Sequence, residues 1–219
     1  MPKIQEKESI LVFAAHNDDQ IIGVGGTIAK YAKENKNIIV YIFSFGESSH
    51  PHFQKREIIK TRVKEMHESD KVLKIDASYY LGLKEGAFIE EFEAKNKKDI
   101  IIRAIKNHRP VKMFTHSKDD PHPDHKAVNE IIRKVTKEIN YEGELFSFDV
   151  WNPFSIRGRN RPKLIVDITE TFPLKVKALK CHESQFTALV SMLPSMYARA
   201  IVNGLRYGCR YAEKFTKIH

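Results

Sequence analysis

Apolar and polar positions along this 219-residue chain fall into two alternating textures. Continuous apolar runs of strand length are separated by longer stretches in which apolar residues recur every three or four positions. "SILVFAA" (9–15) and "NIIVYIFSF" (37–45) are of the first kind and suit strands buried on both faces. Residues 22–35 and 54–74 are of the second kind. In the longer one Ile58, Ile59, Val63, Met66, Val72 and Leu73 are spaced for one apolar stripe. The alternation continues with a strand "ASYYLGL" (77–83), a helix over 97–108, a strand "VKMFTHS" (111–117) and a helix over 123–139, which Pro123 suits at its first turn. "ELFSFDVW" and "KLIVDIT" are two further β-rich pieces ahead of a helical C-terminal third. The pattern predicts an α/β fold: a Rossmann-like, mainly parallel sheet flanked by helices. No repeat, low-complexity segment or linker interrupts it, so residues 1–219 read as a single domain.

Composition narrows the class. Hydrophobic residues make up 42% and charged residues 30%, as in a soluble globular protein. No apolar run approaches the ~18 residues of a membrane span, and "MPKIQEKES" lacks the apolar core of a signal peptide. The expectation is a cytoplasmic protein. Cys181 and Cys209 are the only cysteines and form no CxxC spacing, so neither a disulfide framework nor a thiolate metal site is indicated. A net charge of +9 makes nucleic acid a partner to weigh. The lysines, however, are interleaved with glutamates, as in "EEFEAKNKKD", the pattern of a solvated helix surface. Only "RGRNRPK" (157–163) is concentrated and basic; it reads as a loop, either solvated or facing an anionic substrate.

In such a sheet, ligands bind beyond the carboxyl ends of the strands. His16 to Gln20 follow the first strand and Ser117 to His125 the fourth, so both polar clusters open on one edge. The glycines at 23, 25 and 26 invite a nucleotide reading, with Glu47 as the ribose-binding acid of an oxidoreductase. Against it, Ile28 stands where a dinucleotide loop needs Gly or Ala, and seven residues separate Ala15 from the first glycine, which a strand-to-helix turn would not allow. A metal reading takes His16 and Asp19, three apart, as imidazole and carboxylate ligands, with Asp18 beside them as a base. Helix capping by the Asp/Asn cluster is the alternative. The second cluster, "HSKDDPHPDHKAV" (116–128), adds His122 and His125, and His125 completes a His/Asp/His triad with a fourth position open for water.

"AHNDDQIIGVGGTIA" with "DPHPDH" resembles the PIG-L (LmbE-like) family of metal-dependent N-deacetylases. "RVKE" (62–65), "LGLKEG" (81–86), "VDIT…KVKALKCHESQ" (166–185) and "GCRYAEKF" (208–215) continue the likeness in order along the chain. Asn17 replaces the family's common proline and Gln20 its common glutamate. The resemblance implies that His16, Asp19 and His125 hold zinc (Zn2+), or another divalent ion such as Fe2+. It also implies Asp18 as general base, and a protonated His122 beside Asp124 as the oxyanion stabiliser. The implied reaction releases acetate and a free amine from an N-acetylated amino sugar or its conjugate, with an inositol lipid, inositol, malate, a second sugar or an antibiotic scaffold as the aglycone. Arg56, Arg62 and Trp151 are candidates for holding the sugar, although Arg62 and Glu65 also fit a plain helix pair and Trp151 a core position. The expected partners exclude nucleic acid and a membrane span and leave a homo-oligomer open. A basic nucleic-acid-binding protein with a vestigial metal site is the competing class.

Overall fold

The computed structural model describes residues 7–47, 54–151 and 162–219. Strand β1 (Ser9–Ala14) and helix α1 (Asp19–Lys33) lead into β2 (Asn37–Ile42), α2 (Lys55–Leu73) and β3 (Ala77–Tyr80). Helices α3 (Phe88–Ala94) and α4 (Lys98–His108) precede β4 (Lys112–His116), α5 (Pro123–Glu138), β5 (Glu144–Phe148) and β6 (Lys163–Asp167). The chain ends with α6 (Phe172–Leu179), a 3-10 turn (Glu183–Gln185), α7 (Phe186–Tyr207) and β7 (Ala212–Lys217).

Among the described residues one sheet forms, in the order β3-β2-β1-β4-β5-β7-β6, parallel from β3 to β5 and antiparallel at β7 and β6. Alternate residues of the central strands feed two cores. Ile10, Val12 and Ala14 with Ile38, Val40 and Ile42 pack under α1, α6 and α7. Leu11, Phe13 and Ala15 with Ile39, Tyr41 and Phe43 pack under α3, α4 and α5. Period-two alternation buried on both sides is why these strands carry no polar face. The chain runs outward from β1 through β2 to β3 and then returns to β4 on the other side of β1. The switch point of the sheet therefore lies between the carboxyl ends of β1 and β4.

Three expectations need correction. Helix α1 starts at Asp19, three residues earlier than its apolar periodicity indicates, so Asp19 sits in its first turn and the glycines lie inside the helix. They serve close approach to neighbouring elements. A Cβ on Gly23 would lie 2.2 Å from Phe148, and one on Gly26 would lie 2.6 Å from Ile168. The C-terminal third is not wholly helical, because "AEKFTK" forms β7. Its charged Glu213 hides the strand pattern. That carboxylate is buried, takes Lys175 Nζ at 2.6 Å and accepts the backbone N–H groups of Gly26 and Thr27. The stripe on α2 is also more polar than expected. Arg62, Glu65, Ser69 and Asp70 are buried beside Ile58, Met66 and Leu73.

Candidate metal centre

The tips of β1 and β4 are joined where the site begins: the Ala15 N–H donates to His116 Nε2 at 2.9 Å. Beyond that bond the chain turns sharply into α1. Asp18 is the N-cap residue, and its carbonyl accepts the N–H groups of Ile21 and Ile22 while its side chain makes no capping bond. The capping alternative therefore does not account for this carboxylate. Asp19 Oδ2 accepts the His16 backbone N–H at 2.8 Å, which closes the turn and brings the two side chains together.

Three overlapping His/Asp groups have donor atoms within 4.8 Å of one another: His16, Asp19 and His125; His16, His122 and Asp124; His116, Asp120 and His125. Their other commitments separate them. Asp124 gives one oxygen to Gly86 N–H at 2.9 Å and the other to His16 Nε2 at 3.2 Å. Asp120 accepts from the backbone N–H groups of His122, Val150 and Trp151, and its Oδ1 lies 2.9 Å from His125 Nδ1. Asp19 alone keeps an oxygen facing the others: Oδ1 stands 3.3 Å from His125 Nε2, and Oδ2 stands 3.3 Å from His16 Nδ1. Separations near 3.3 Å match ligands around one ion with bonds of about 2 Å. The residues present therefore fit a divalent metal. Two imidazoles and one carboxylate suit both zinc and iron(II).

The electrostatics favour positive charge here. Burial opposes protonation of His16, yet its bonds to Asp124 and Asp19 and the pull of Asp19 and Asp18 carry its pKa up to about 10. Burial likewise opposes protonation of His125, but Asp19 and Asp120 raise it to about 9. Asp19 is held well below the usual carboxylate range by His125 and His116, against the cost of its burial. His116, fully buried and next to His125, falls to about 4.

Among the remaining expected residues, His122 is the N-cap of α5, where its Nδ1 accepts the Asp124 N–H at 3.2 Å. Its expected pairing with the Asp124 carboxylate is corrected: that carboxylate serves His16 and Gly86, and the two residues meet through the backbone. Burial and the neighbouring His125 and His16 lower the His122 pKa, with Asp124 and Asp19 pulling the other way. Arg62 is buried against Gly46, whose φ of +73° and missing Cβ make room for the guanidinium. Glu65 spends both oxygens on Ser184, at 2.7 Å to its N–H and 2.7 Å to its hydroxyl. Arg56 is exposed on the first turn of α2, six residues and ~9 Å along the helix from Arg62. Trp151 is 45% exposed rather than in the core, tethered through its N–H to Asp120. The basic stretch at 157–163 lies outside the described residues up to 161. Of the two departures, Asn17 donates its Nδ2 to the Arg62 carbonyl at 2.8 Å, and Gln20 donates its Nε2 to the Asn17 carbonyl at 2.8 Å. A glutamate at 20 could not make that second bond, so the amide braces the turn it replaces a charge in.

Residue-by-residue reading did not single out His116, Asp120, Glu85 or His182. Glu85 Oε1 lies 3.8 Å from His16 Nε2. His182 is 1% exposed with neither ring nitrogen hydrogen-bonded among the described residues, and burial pushes it down to about 4 against the pull of Asp18. All four stand inside the motifs "HSKDDPHPDHKAV", "LGLKEG" and "KVKALKCHESQ", and that placement was the available signal.

Comparison with known proteins identifies the family and the fold. Residues 11–136 match the model of the family described as PIG-L, GlcNAc-PI de-N-acetylase. The diacetylchitobiose deacetylase of Thermococcus kodakarensis is 25% identical over 226 residues, covering 94% of this chain and 81% of that protein. The N,N'-diacetylchitobiose deacetylase of Pyrococcus horikoshii, solved with an inhibitor, superposes with a TM-score of 0.80 at 22% identity, over 98% of this chain and 85% of that one. GalB, the 4-carboxy-2-hydroxymuconate hydratase of Pseudomonas putida, also reaches 0.80, at 18% identity over 97% and 96%. Likeness at that level shows the fold alone, and here one fold carries two chemistries.

Proposed function

The chain belongs to the PIG-L family of GlcNAc-PI de-N-acetylases, and from that premise we propose that it is a metal-dependent hydrolase that removes the acetyl group from an N-acetylglucosamine-containing substrate. The products are acetate and a free amine. The observation that carries the reading is the convergence of His16, Asp19 and His125, whose donor atoms lie within 4.8 Å of one another, next along the chain to an Asp18 carboxylate that makes no capping bond. A hydratase of the same fold shows that the fold does not select the reaction, so the argument rests on the donor set and the family.

His16, Asp19 and His125 would hold the ion, proposed as zinc. Bound there, it supplies Lewis acidity, which makes water a nucleophile near neutral pH and polarises the amide carbonyl. Asp18 takes a proton from the attacking water and passes it to the leaving nitrogen, one group serving as base and then as acid. His122 donates from Nε2 to the carbonyl oxygen as negative charge grows there. Its Nδ1 accepts the Asp124 N–H, which leaves the hydrogen of the neutral ring on Nε2. Asp124 and Asp120 are positioning residues: each receives the far nitrogen of one ligand histidine and fixes which nitrogen faces the ion. Trp151, 45% exposed and tied through its backbone N–H to Asp120, is the sugar contact, by stacking; Arg62, 2% exposed and packed against Gly46, offers no surface for one.

The reading is tested by acetate release from a panel of N-acetylated sugars and conjugates, with the protein loaded with zinc or iron(II) and with the metal chelated. Metal-dependent release from at least one N-acetylglucosamine disaccharide or conjugate is expected. No release from any member of the panel would count against the assignment.

A further inference from the structure

Helix α7 presents to solvent a face unlike the rest of this highly charged chain. Between Phe186 and Leu205 the one charged side chain is Arg199, and its guanidinium turns inward to donate to the Asp149 carbonyl at 2.7 Å. Phe186, Val190, Pro194, Tyr197, Ile201 and Leu205 follow one another at intervals of three or four and are all exposed, with Val202 alongside. They form a single stripe along a helix of 22 residues, ~33 Å long. The opposite face supplies Leu189, Met192, Met196 and Ala200 to the core, so this helix is apolar on both sides.

We propose that the outer face of α7 is a self-association surface on which a second copy of this chain docks, α7 against α7. Area is the first argument. Leu205 is 76% exposed, Phe186 69%, and the other large apolar side chains of the stripe 36–45%. At on the order of 100 Å² each these residues and Tyr207 offer roughly 600–700 Å², above the usual largest patch of a monomer and close to the ~800 Å² per partner of a stable interface. Charge is the second argument. Two chains of net charge +9 repel wherever charged faces meet, and this helix surface is free of that penalty. A lipid surface is disfavoured on the same ground. An interfacial helix carries lysine or arginine along its flanks, whereas here Arg206 and Arg210 stand only at the C-terminal end. Exposed ridges at three- and four-residue intervals are also the shape that a like helix packs into.

The test is the mass of the full chain by sedimentation equilibrium from low to high micromolar concentration. The wild type is expected at twice the 25.4 kDa chain mass or a higher multiple. The double variant Ile201→Glu, Leu205→Glu is expected to fall at least twofold in mass with an unchanged far-UV circular dichroism spectrum. Hydrogen exchange on the wild type needs no substitution: protection of residues 186–207 should rise with protein concentration. A monomeric wild type, a double variant that keeps the wild-type mass, or concentration-dependent protection confined to other segments would overturn the proposal. A monomer that floats with phosphatidylglycerol vesicles would overturn it in favour of lipid.

Discussion

Asp120 Oδ1 lies 2.9 Å from Nδ1 of His125, while the other oxygen of the same carboxylate accepts the N–H groups of Val150 and Trp151. One buried carboxylate thus orients a proposed metal ligand and anchors the segment carrying the exposed tryptophan. Burial works against its charge, but His125 and the backbone donors of His122 and Val150 bring its pKa down to about 2.

Asp120→Asn nearly preserves shape but removes the charge and leaves one acceptor oxygen for the His125 Nδ1 and three backbone N–H groups that now share two. Metal affinity should weaken by ~10–100-fold, the usual effect of losing a carboxylate behind a ligand histidine. Competition with a chromophoric chelator measures it, and unchanged affinity would show that His125 needs no such support.

Asp18 and Asp19 are neighbours with different proposed work. Asp18→Ala should abolish acetate release with metal content near normal, whereas Asp19→Ala should lose the metal itself. Atomic absorption on the two purified variants separates the roles; the reverse pattern would interchange them.

His122→Ala should lower kcat by ~10²–10³ at nearly normal metal content, the cost of one oxyanion donor. It also removes the N-cap acceptor of α5, at about 1 kcal/mol of stability. His122→Asn restores a capping side chain and should recover the melting temperature more fully than the turnover.

Metal binding should release protons. The metal-free ligands His16 and His125 have pKa values raised to about 10 and about 9, so near pH 7 both are protonated and must lose those protons to bind an ion. Apparent affinity should climb with pH toward two protons per metal between pH 6 and 8. The stability that these charges lend the metal-free fold has the opposite sense. It is fully present below the ordinary histidine pKa of ~6.5 and is lost as pH rises through 9 and 10. Calorimetry in buffers of different ionisation enthalpy counts the protons, and a pH-independent affinity would contradict the expectation.

Gly23→Ala places a Cβ 2.2 Å from the Phe148 ring and should cost about 1–3 kcal/mol as an overpacking change. Thermal melts check it. The wild type should show no NAD or ATP binding by calorimetry, because α1 begins at Asp19 and its glycines lie beyond the helix N-terminus that would cradle a phosphate.

Much of this was legible in one dimension. The continuous apolar runs at 9–15 and 37–45 demand burial on both faces, and that demand already entails a mainly parallel sheet with helices on either side. Strand alternation put "HNDD" and "HPDH" on one edge, since successive parallel strands end on the same side. What the sequence could not decide was pairing. Asp120, Asp124 and Asp19 are chemically alike and lie near the same histidines. Only the tertiary structure shows Asp120 spent on His125 and three backbone amides, Asp124 spent on His16 and Gly86, and Asp19 left with an oxygen facing inward. Strand β7 was hidden for the same reason. Glu213 looks like a surface residue until Lys175, 38 positions earlier, is brought within 2.6 Å of it. Periodicity records which way each residue faces because that follows from local backbone geometry. Which polar group meets which is settled by contacts between distant segments, and these exist only once the chain has folded.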